Sequence, residues 1–180
     1  SLLQLDLPEL QKLVIPTPPP LIPSSGGGGG DISGLSEEEA RKKLRENQIE
    51  VNADPPQTEL KGIRPETIDE IIRFKKECEA YVKATYSNSS ICRVVVTGGT
   101  ERTPHNFGEC SHQKGYKIDI SKRNANVNDF ITRKYCCKNE QWYTGCGPCG
   151  RRSDGAWIYK SPTGAIYAEE GNHWDIVVGC

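Results

Sequence analysis

The stretch AWIYKSPTGAIYAEEGNHWDIVVG, residues 156–179, decides the fold class of this chain. It contains three short segments in which apolar and polar residues alternate: AWIYKS, AIYAE and HWDIVVG. Alternation with a period of two indicates strands that turn one face towards a core. SPTG at 161–164 separates the first two segments, and its proline and glycine are typical of a tight turn. These two strands are therefore predicted to form a hairpin.

The residues before this hairpin predict helices and two further strands. From Pro65, apolar side chains recur every three or four positions, which predicts a helix with Cys78 on or near its buried side. CRVVVTGG at 92–99 is a β-branched run that ends at two glycines, and YKIDIS at 116–121 alternates. NVNDFITRKYC predicts a second, shorter helix. The expected fold class is α+β, with a small, mostly antiparallel sheet and flanking helices.

Composition divides the chain into three parts. Residues 1–34 are predicted to be a disordered Pro/Gly-rich linker, because a stiff proline run followed by glycines cannot build a core. Residues 35–60 form a short helix and a connector, with Ser36 and Glu39 as a capping box. Residues 61–180 form the main domain. A chain that starts at Ser1 and contains no Met is expected to be a processed product or an excised segment, which the linker would tether to a larger assembly.

Charge and hydropathy argue against nucleic-acid binding and against a transmembrane segment. The formal net charge is −1, so no overall basic field attracts nucleic acid. No stretch approaches the roughly 18 consecutive apolar residues of a transmembrane helix. The chain is therefore expected neither to bind nucleic acid nor to contain a transmembrane segment.

The eight cysteines favour a disulfide framework in an oxidising compartment, because they are many for this length and even in number. An extracytoplasmic location is expected: secreted, periplasmic or at the cell surface. A bond between Cys78 and Cys92 would join the long helix to the next strand, and the 136–149 cluster and Cys180 would each take part in a further bond. The alternative is a zinc ribbon at 136–149, although the adjacent cysteines at 136 and 137 have poor geometry for two ligands of one tetrahedral ion.

Two of the three histidines stand near a carboxylate across a glycine. His112 and Asp119 have Gly115 between them, and a second glycine lies between Glu170 and His173. A turn at each glycine would let the paired side chains converge. Two imidazoles and one carboxylate make a catalytic zinc set with an open position, and a nearby glutamate can act as a base. Taken singly, each of these residues is more often an ordinary polar residue.

The pattern His112-x-x-Gly115-x-x-x-Asp119 followed by Glu170-x-x-His173 resembles the signature of the D-alanyl-D-alanine carboxypeptidase and dipeptidase family of zinc peptidases. That family shares its fold with the signalling domain of hedgehog proteins, and the similarity covers roughly residues 65–180. The resemblance implies a hedgehog/DD-peptidase-like fold in which His112, Asp119 and His173 bind zinc. It also implies that Glu170 is the catalytic base and that the substrate is a peptidoglycan stem peptide or a related peptide.

The chain departs from the family pattern at three places. Cys110 stands where the family has a serine, Lys117 where a small residue is usual, and Glu101 near the place of a substrate-holding arginine. Three residues are the expected substrate contacts: Arg102, Ser111 and His105. Two alternatives to a peptidase therefore stay open. One is a non-catalytic zinc-containing binding module of the same fold, and the other is a disulfide-stapled surface domain without a metal.

Overall fold

Three helices and seven strands are found in the residues that the computed structural model describes, which are 34–86, 91–102, 108–138 and 145–180. The helices are α1 (Glu37–Glu46), α2 (Pro65–Thr85) and α3 (Ala125–Lys134). The strands are β1 (Glu50–Val51), β2 (Val95–Gly98), β3 (Lys117–Ser121), β4 (Gly150–Arg151), β5 (Trp157–Lys160), β6 (Ile166–Glu169) and β7 (His173–Val177).

The strands form one sheet in the order β1-β2-β3-β7-β6-β5-β4. Only the pair β1–β2 is parallel in this sheet, and the other neighbours are antiparallel. The turn between β5 and β6 is closed by a 2.9 Å hydrogen bond from the Gly164 amide to the Ser161 carbonyl. The α+β class, the mostly antiparallel sheet and the hairpin predicted from 156–179 are therefore confirmed.

The helices begin where their capping residues predict. Ser36 and Glu39 form both hydrogen bonds of the capping box at the start of α1. Helix α2 has Pro65 as its first residue, where the missing amide hydrogen costs nothing. Ala40 and Leu44 of α1 are fully buried in the same core as α2, so the segment expected as a helix and connector packs onto the main domain.

The core lies between α2, α3 and one face of the sheet. Phe74 of α2 and Tyr167 of β6 are fully buried, with their ring centroids 5.6 Å apart. Glu70 is also buried, and its carboxylate accepts hydrogen bonds from the Tyr167 hydroxyl at 2.8 Å and from the Thr163 hydroxyl at 2.7 Å. These bonds fasten α2 to the β5–β6 hairpin and satisfy a charge that would be costly to bury alone.

All eight cysteines form disulfides: Cys78–Cys92, Cys110–Cys180, Cys136–Cys146 and Cys137–Cys149. The expected bond between Cys78 and Cys92 is present, although β2 begins three residues after Cys92, at Val95. The 136–149 cluster holds two bonds. No cysteine is free to ligate zinc, so the zinc-ribbon alternative is wrong. Four disulfides indicate an oxidising, extracytoplasmic environment.

None of the helices in the described segments is both long and apolar enough to cross a membrane. The described residues from 34 to 180 belong to one compact unit. Residues 1–33 lie outside the described residues, so the linker at 1–34 stays a prediction.

Candidate metal centre

Two adjacent strands carry acidic residues on the same face of the sheet. Asp119 of β3 is directly opposite Asp175 of β7, and Ser121 is opposite His173. The residues that alternate with them, such as Ile120 and Trp174, are fully buried on the core face. The period of two therefore directs Asp119, His173 and Asp175 away from the core and towards one another.

A turn at Gly115 brings His112 over this face. Gly115 has φ +77°, and its amide donates to the His112 carbonyl at 2.8 Å. A Cβ at this position would lie 2.5 Å from the Gly62 carbonyl oxygen, so the close approach of the two loops requires glycine. His112 Nε2 then lies 3.5 Å from Asp119 Oδ1 and 3.9 Å from Asp175 Oδ1.

The other ring nitrogen of His112 is fixed by the main chain. His112 Nδ1 lies 2.6 Å from the Gly99 carbonyl oxygen. A carbonyl oxygen only accepts, so Nδ1 carries the hydrogen and Nε2 is the nitrogen that faces the carboxylates. Burial lowers the pKa of His112, which favours the neutral ring that metal ions bind.

The two aspartates are crowded and incompletely satisfied. Asp119 Oδ1 and Asp175 Oδ1 are buried and have no hydrogen-bond partner among the described residues. Burial raises the pKa of Asp119 well above its usual value, and the charges of Asp175, Glu101 and Glu170 raise it further. A cation would relieve both the burial and the repulsion. His112, Asp119 and Asp175 each offer one ligand atom, all within 4.8 Å of one another, so this group could hold a metal ion.

Two basic side chains neutralise the second oxygen of Asp175. Lys117 Nζ lies 2.8 Å from Asp175 Oδ2, and Arg152 Nη1 lies 2.7 Å from the same oxygen. Arg152 also forms ion pairs with Glu170 and Asp154 through Nη2. The orphaned oxygen of Asp175 is therefore left on the side of His112.

His173 and Glu170 meet at the turn between β6 and β7. The Glu170 amide donates to the His173 carbonyl at 3.1 Å, and His173 Nε2 lies 3.0 Å from Glu170 Oε2. His173 Nε2 also lies 3.9 Å from Asp119 Oδ2. The structure thus brings the three other predicted residues, His112, Glu170 and His173, close to Asp119. The three ligand atoms that lie within 4.8 Å of one another, however, belong to His112, Asp119 and Asp175, not to His173. The neighbouring Glu169 pairs with Lys122 at 2.8 Å instead.

Of the three residues expected to contact substrate, Ser111 and Arg102 lie within the described residues and differ in their surroundings. Ser111 is buried, and its hydroxyl accepts a hydrogen bond from the Lys114 amide at 3.3 Å, so it supports the turn that carries His112. Arg102 is exposed. His105 lies outside the described residues, so its expected role stays a prediction.

Sequence reasoning missed two charged members of the site. Asp175 had a usable signal, because it lies two residues after His173 and therefore on the same strand face. Arg152 had none, since it belongs to a pair of arginines in a loop-rich segment far from either motif. The basic residues that reach the site are Lys117 and Arg152, and neither is a sequence neighbour of Gly98 and Gly99.

A cleft of about 820 Å³ opens beside this centre. Asp119, Ser121 and His173 line it, together with residues of β1 and β2 such as Val51 and Thr97. Its lining is mixed, with polar groups that could hydrogen-bond an extended polar chain. The candidate centre is therefore reachable from the surface.

Comparison with known proteins identifies no family for this chain. No protein-family model, curated protein or solved structure matches it. The family implied by the two motifs stays a prediction, and the chemistry of the site rests on its geometry.

Proposed function

We propose that this chain is a zinc-dependent peptidase that hydrolyses an amide bond in peptidoglycan stem peptides outside the cytoplasm. One observation carries the metal site: His112 Nε2 converges with Asp119 Oδ1 and Asp175 Oδ1, two buried oxygens without a hydrogen-bond partner in the described part of the chain. Buried carboxylates in this state are costly in their ionised form unless a cation accompanies them. Imidazole and carboxylate are both zinc ligands. The substrate class comes from the resemblance of the two motifs.

The proposed ligands are His112, Asp119 and His173. Ligand atoms around a tetrahedral zinc ion are roughly 3.3–3.5 Å apart, since each bond is about 2.0–2.1 Å long. His112 Nε2 is 3.5 Å from Asp119 Oδ1, which matches this separation. His173 Nε2 lies 3.9 Å from the other oxygen, Asp119 Oδ2, so it would have to move closer to share the ion. Asp175 serves as a buried counter-charge in this proposal, because two basic side chains already bind its other oxygen.

The chemistry divides between the metal and Glu170. Zinc held by these residues would polarise a scissile carbonyl and would lower the pKa of water to roughly 7. Glu170 Oε2 lies 3.0 Å from His173 Nε2, so its carboxylate stands beside the ligand set and would give up this contact when that nitrogen binds zinc. From there it can take a proton from water and transfer it to the leaving amine. The adjoining cleft would hold the peptide on either side of the bond.

A non-catalytic binding module with the same metal site is the second candidate. Arg152 Nη2 contacts Glu170 Oε1, and this ion pair competes with the use of Glu170 as a base. Under this alternative the cleft recognises a peptide or a partner without cleaving it, and zinc only holds the loops together.

The test combines metal analysis with an assay on purified peptidoglycan. Protein purified without added zinc should contain about one zinc per chain and release peptide fragments. Glu170→Gln should keep the zinc and lose about 10²–10⁴-fold in hydrolysis, as expected when a general base is removed. The matched control is Glu169→Gln, which changes the adjacent carboxylate that pairs with Lys122 and should retain both properties. Zinc without hydrolysis in the unmodified chain would favour the binding module, and absence of zinc would rule out both candidates.

A further inference from the structure

We propose that Glu101 is a positioning residue that fixes the ring of His112 for metal binding by holding the main chain at Gly99. This inference rests on the proposed metal site and does not require peptide hydrolysis. Glu101 lies three residues after Gly98, the last residue of β2, and its side chain is half-buried. The resemblance to the zinc peptidases leads one to expect an arginine near this position.

The carboxylate of Glu101 accepts hydrogen bonds from two main-chain amides. The Gly99 amide donates to Oε1 at 3.0 Å and to Oε2 at 2.9 Å. The Glu59 amide donates to Oε2 at 3.1 Å. Glu101 therefore joins the loop after β2 to the loop that precedes α2. An arginine could not replace it, because a guanidinium group has only donors and these partners are donors too.

The peptide unit between Gly99 and Thr100 links this restrained main chain to His112. The Thr100 amide donates to the Glu59 carbonyl at 2.6 Å, and the Thr100 hydroxyl donates to the Lys61 carbonyl at 2.7 Å. The Gly99 carbonyl belongs to the same peptide unit as the Thr100 amide, and it is the group that binds His112 Nδ1 at 2.6 Å. Both sides of Gly99 are thus held, and its carbonyl has a fixed direction. A metal-binding histidine is oriented in this way by the partner of its other nitrogen.

Gly98 and Gly99 are packed so closely against neighbouring groups that neither position has room for a side chain. A Cβ at Gly98 would lie 2.4 Å from Asp119 Oδ2 and 2.9 Å from Glu101 Oε1. A Cβ at Gly99 would lie 2.2 Å from the Glu59 carbonyl oxygen. The carboxylates of Asp119 and Glu101 therefore press against bare main chain. The negative charge of Glu101 raises the pKa of Asp119 and so disfavours its ionisation. The favourable contribution of Glu101 is therefore the acceptance of hydrogen bonds from the Gly99 and Glu59 amides.

Two measurements on Glu101→Ala test the proposal. In metal-free protein, ¹⁵N NMR of the histidine ring should show His112 in the Nδ1–H tautomer in the unmodified chain and a mixture of tautomers in the variant. Zinc affinity, measured by competition with a chromophoric chelator, should fall about 10–100-fold, as it does when an outer partner of a metal ligand is removed. Glu101→Gln keeps one acceptor oxygen and should give an intermediate loss, and it also serves if Glu101→Ala does not fold.

The matched control is Glu59→Ala. This variant removes a neighbouring carboxylate that forms no hydrogen bond or ion pair with described residues, and it keeps the main-chain groups that Glu101 and Thr100 use. Its tautomer and zinc affinity should equal those of the unmodified chain. An unchanged tautomer and an unchanged affinity in Glu101→Ala would overturn the proposal. If the unmodified chain bound no zinc, the proposed function would fall, while the tautomer measurement would still decide the role of Glu101.

Discussion

At the scale of single residues, the candidate centre concentrates negative charge that the described side chains only partly neutralise. Lys117 and Arg152 reach Asp175, but among the described residues no cation and no hydrogen-bond donor contacts the buried Oδ1 of Asp119. Burial raises the pKa of Asp119, and the surrounding carboxylates raise it further. Its folded-state pKa therefore exceeds the unfolded value, so the ionised group destabilises the metal-free fold at neutral pH.

Asp119→Asn should consequently act in opposite directions on the metal-free and the zinc-loaded protein. In the presence of a chelator the variant should melt at the same temperature as the unmodified chain or higher, since a repelled charge has been removed. With zinc at about 100 times its Kd, the unmodified chain should gain about 2.7 kcal/mol in unfolding free energy, and the variant should gain almost none. Thermal melting with chelator and with zinc measures both effects.

Asp129→Asn provides the contrasting control. Burial would raise the pKa of Asp129, but hydrogen bonds from Tyr81, Arg133 and Tyr86 outweigh it and lower the pKa. The ionised form of Asp129 therefore stabilises the fold, and its replacement should lower the melting temperature with or without zinc. If Asp119→Asn lowered the metal-free melting temperature as much as Asp129→Asn, Asp119 would not be repelled in the way described.

The spacing of residues in the sequence could predict only part of the site, and individual residues show why. His112 and Asp119 converge because Gly115 permits a backbone turn that other residues avoid, and a glycine in a motif is visible in the sequence. Arg152 follows β4 and reaches Asp175 of β7 although β5 and β6 lie between these two strands in the sheet, and such a contact depends on strand order and side-chain length. The role of the Gly99 carbonyl was equally hidden, because every residue carries a carbonyl group.

At the scale of elements, β7 separates stability from metal binding on its two faces. Trp174 is fully buried, its indole nitrogen donates to Asn128 at 2.9 Å, and its ring meets Tyr159 edge to face. His173, one residue earlier, lies on the opposite face beside Asp119. The same five-residue strand therefore serves the core and the candidate centre at once.

Substitutions at these two neighbours should separate the two roles. Trp174→Ala should reduce the unfolding free energy by about 3–5 kcal/mol, as other large-to-small core changes do. His173→Ala should leave the metal-free stability nearly unchanged but abolish zinc binding. Urea unfolding in chelator and zinc titration measure the two effects. Asp175→Asn is the comparison for ligand identity: if it lost zinc while His173→Ala retained it, the third ligand would be Asp175.

Element prediction succeeded where the sequence pattern is long enough to show a period. The hairpin strands, β3, β7 and the three helices all follow alternating or helical spacing in the sequence. Strands β1 and β4 did not emerge from the sequence, because each has only two residues and two residues show no period. They become strands through pairing with β2 and β5, a tertiary effect that local patterns do not contain.

At the scale of the whole molecule, the disulfides tie the candidate centre to the end of the chain. Cys110 lies two residues before His112, and Cys180 lies three residues after the end of β7. Their bond joins the loop that carries His112 to the strand that carries His173 and Asp175. The Cys136–Cys146 bond, by contrast, closes a short loop and involves no residue of the centre.

The Cys110–Cys180 bond should therefore matter more than Cys136–Cys146 for both stability and metal binding. The bonds join residues 70 and 10 positions apart, respectively. Chain-entropy arguments give a stabilisation of roughly 4.4 kcal/mol for the longer loop and roughly 2.7 kcal/mol for the shorter one. Urea unfolding of the Cys110→Ser/Cys180→Ser and Cys136→Ser/Cys146→Ser double variants should show this order, and zinc affinity should fall only in the first. Equal zinc affinity in both variants, each still folded, would mean that the β3 and β7 segments hold the centre without help from the chain's C-terminal bond.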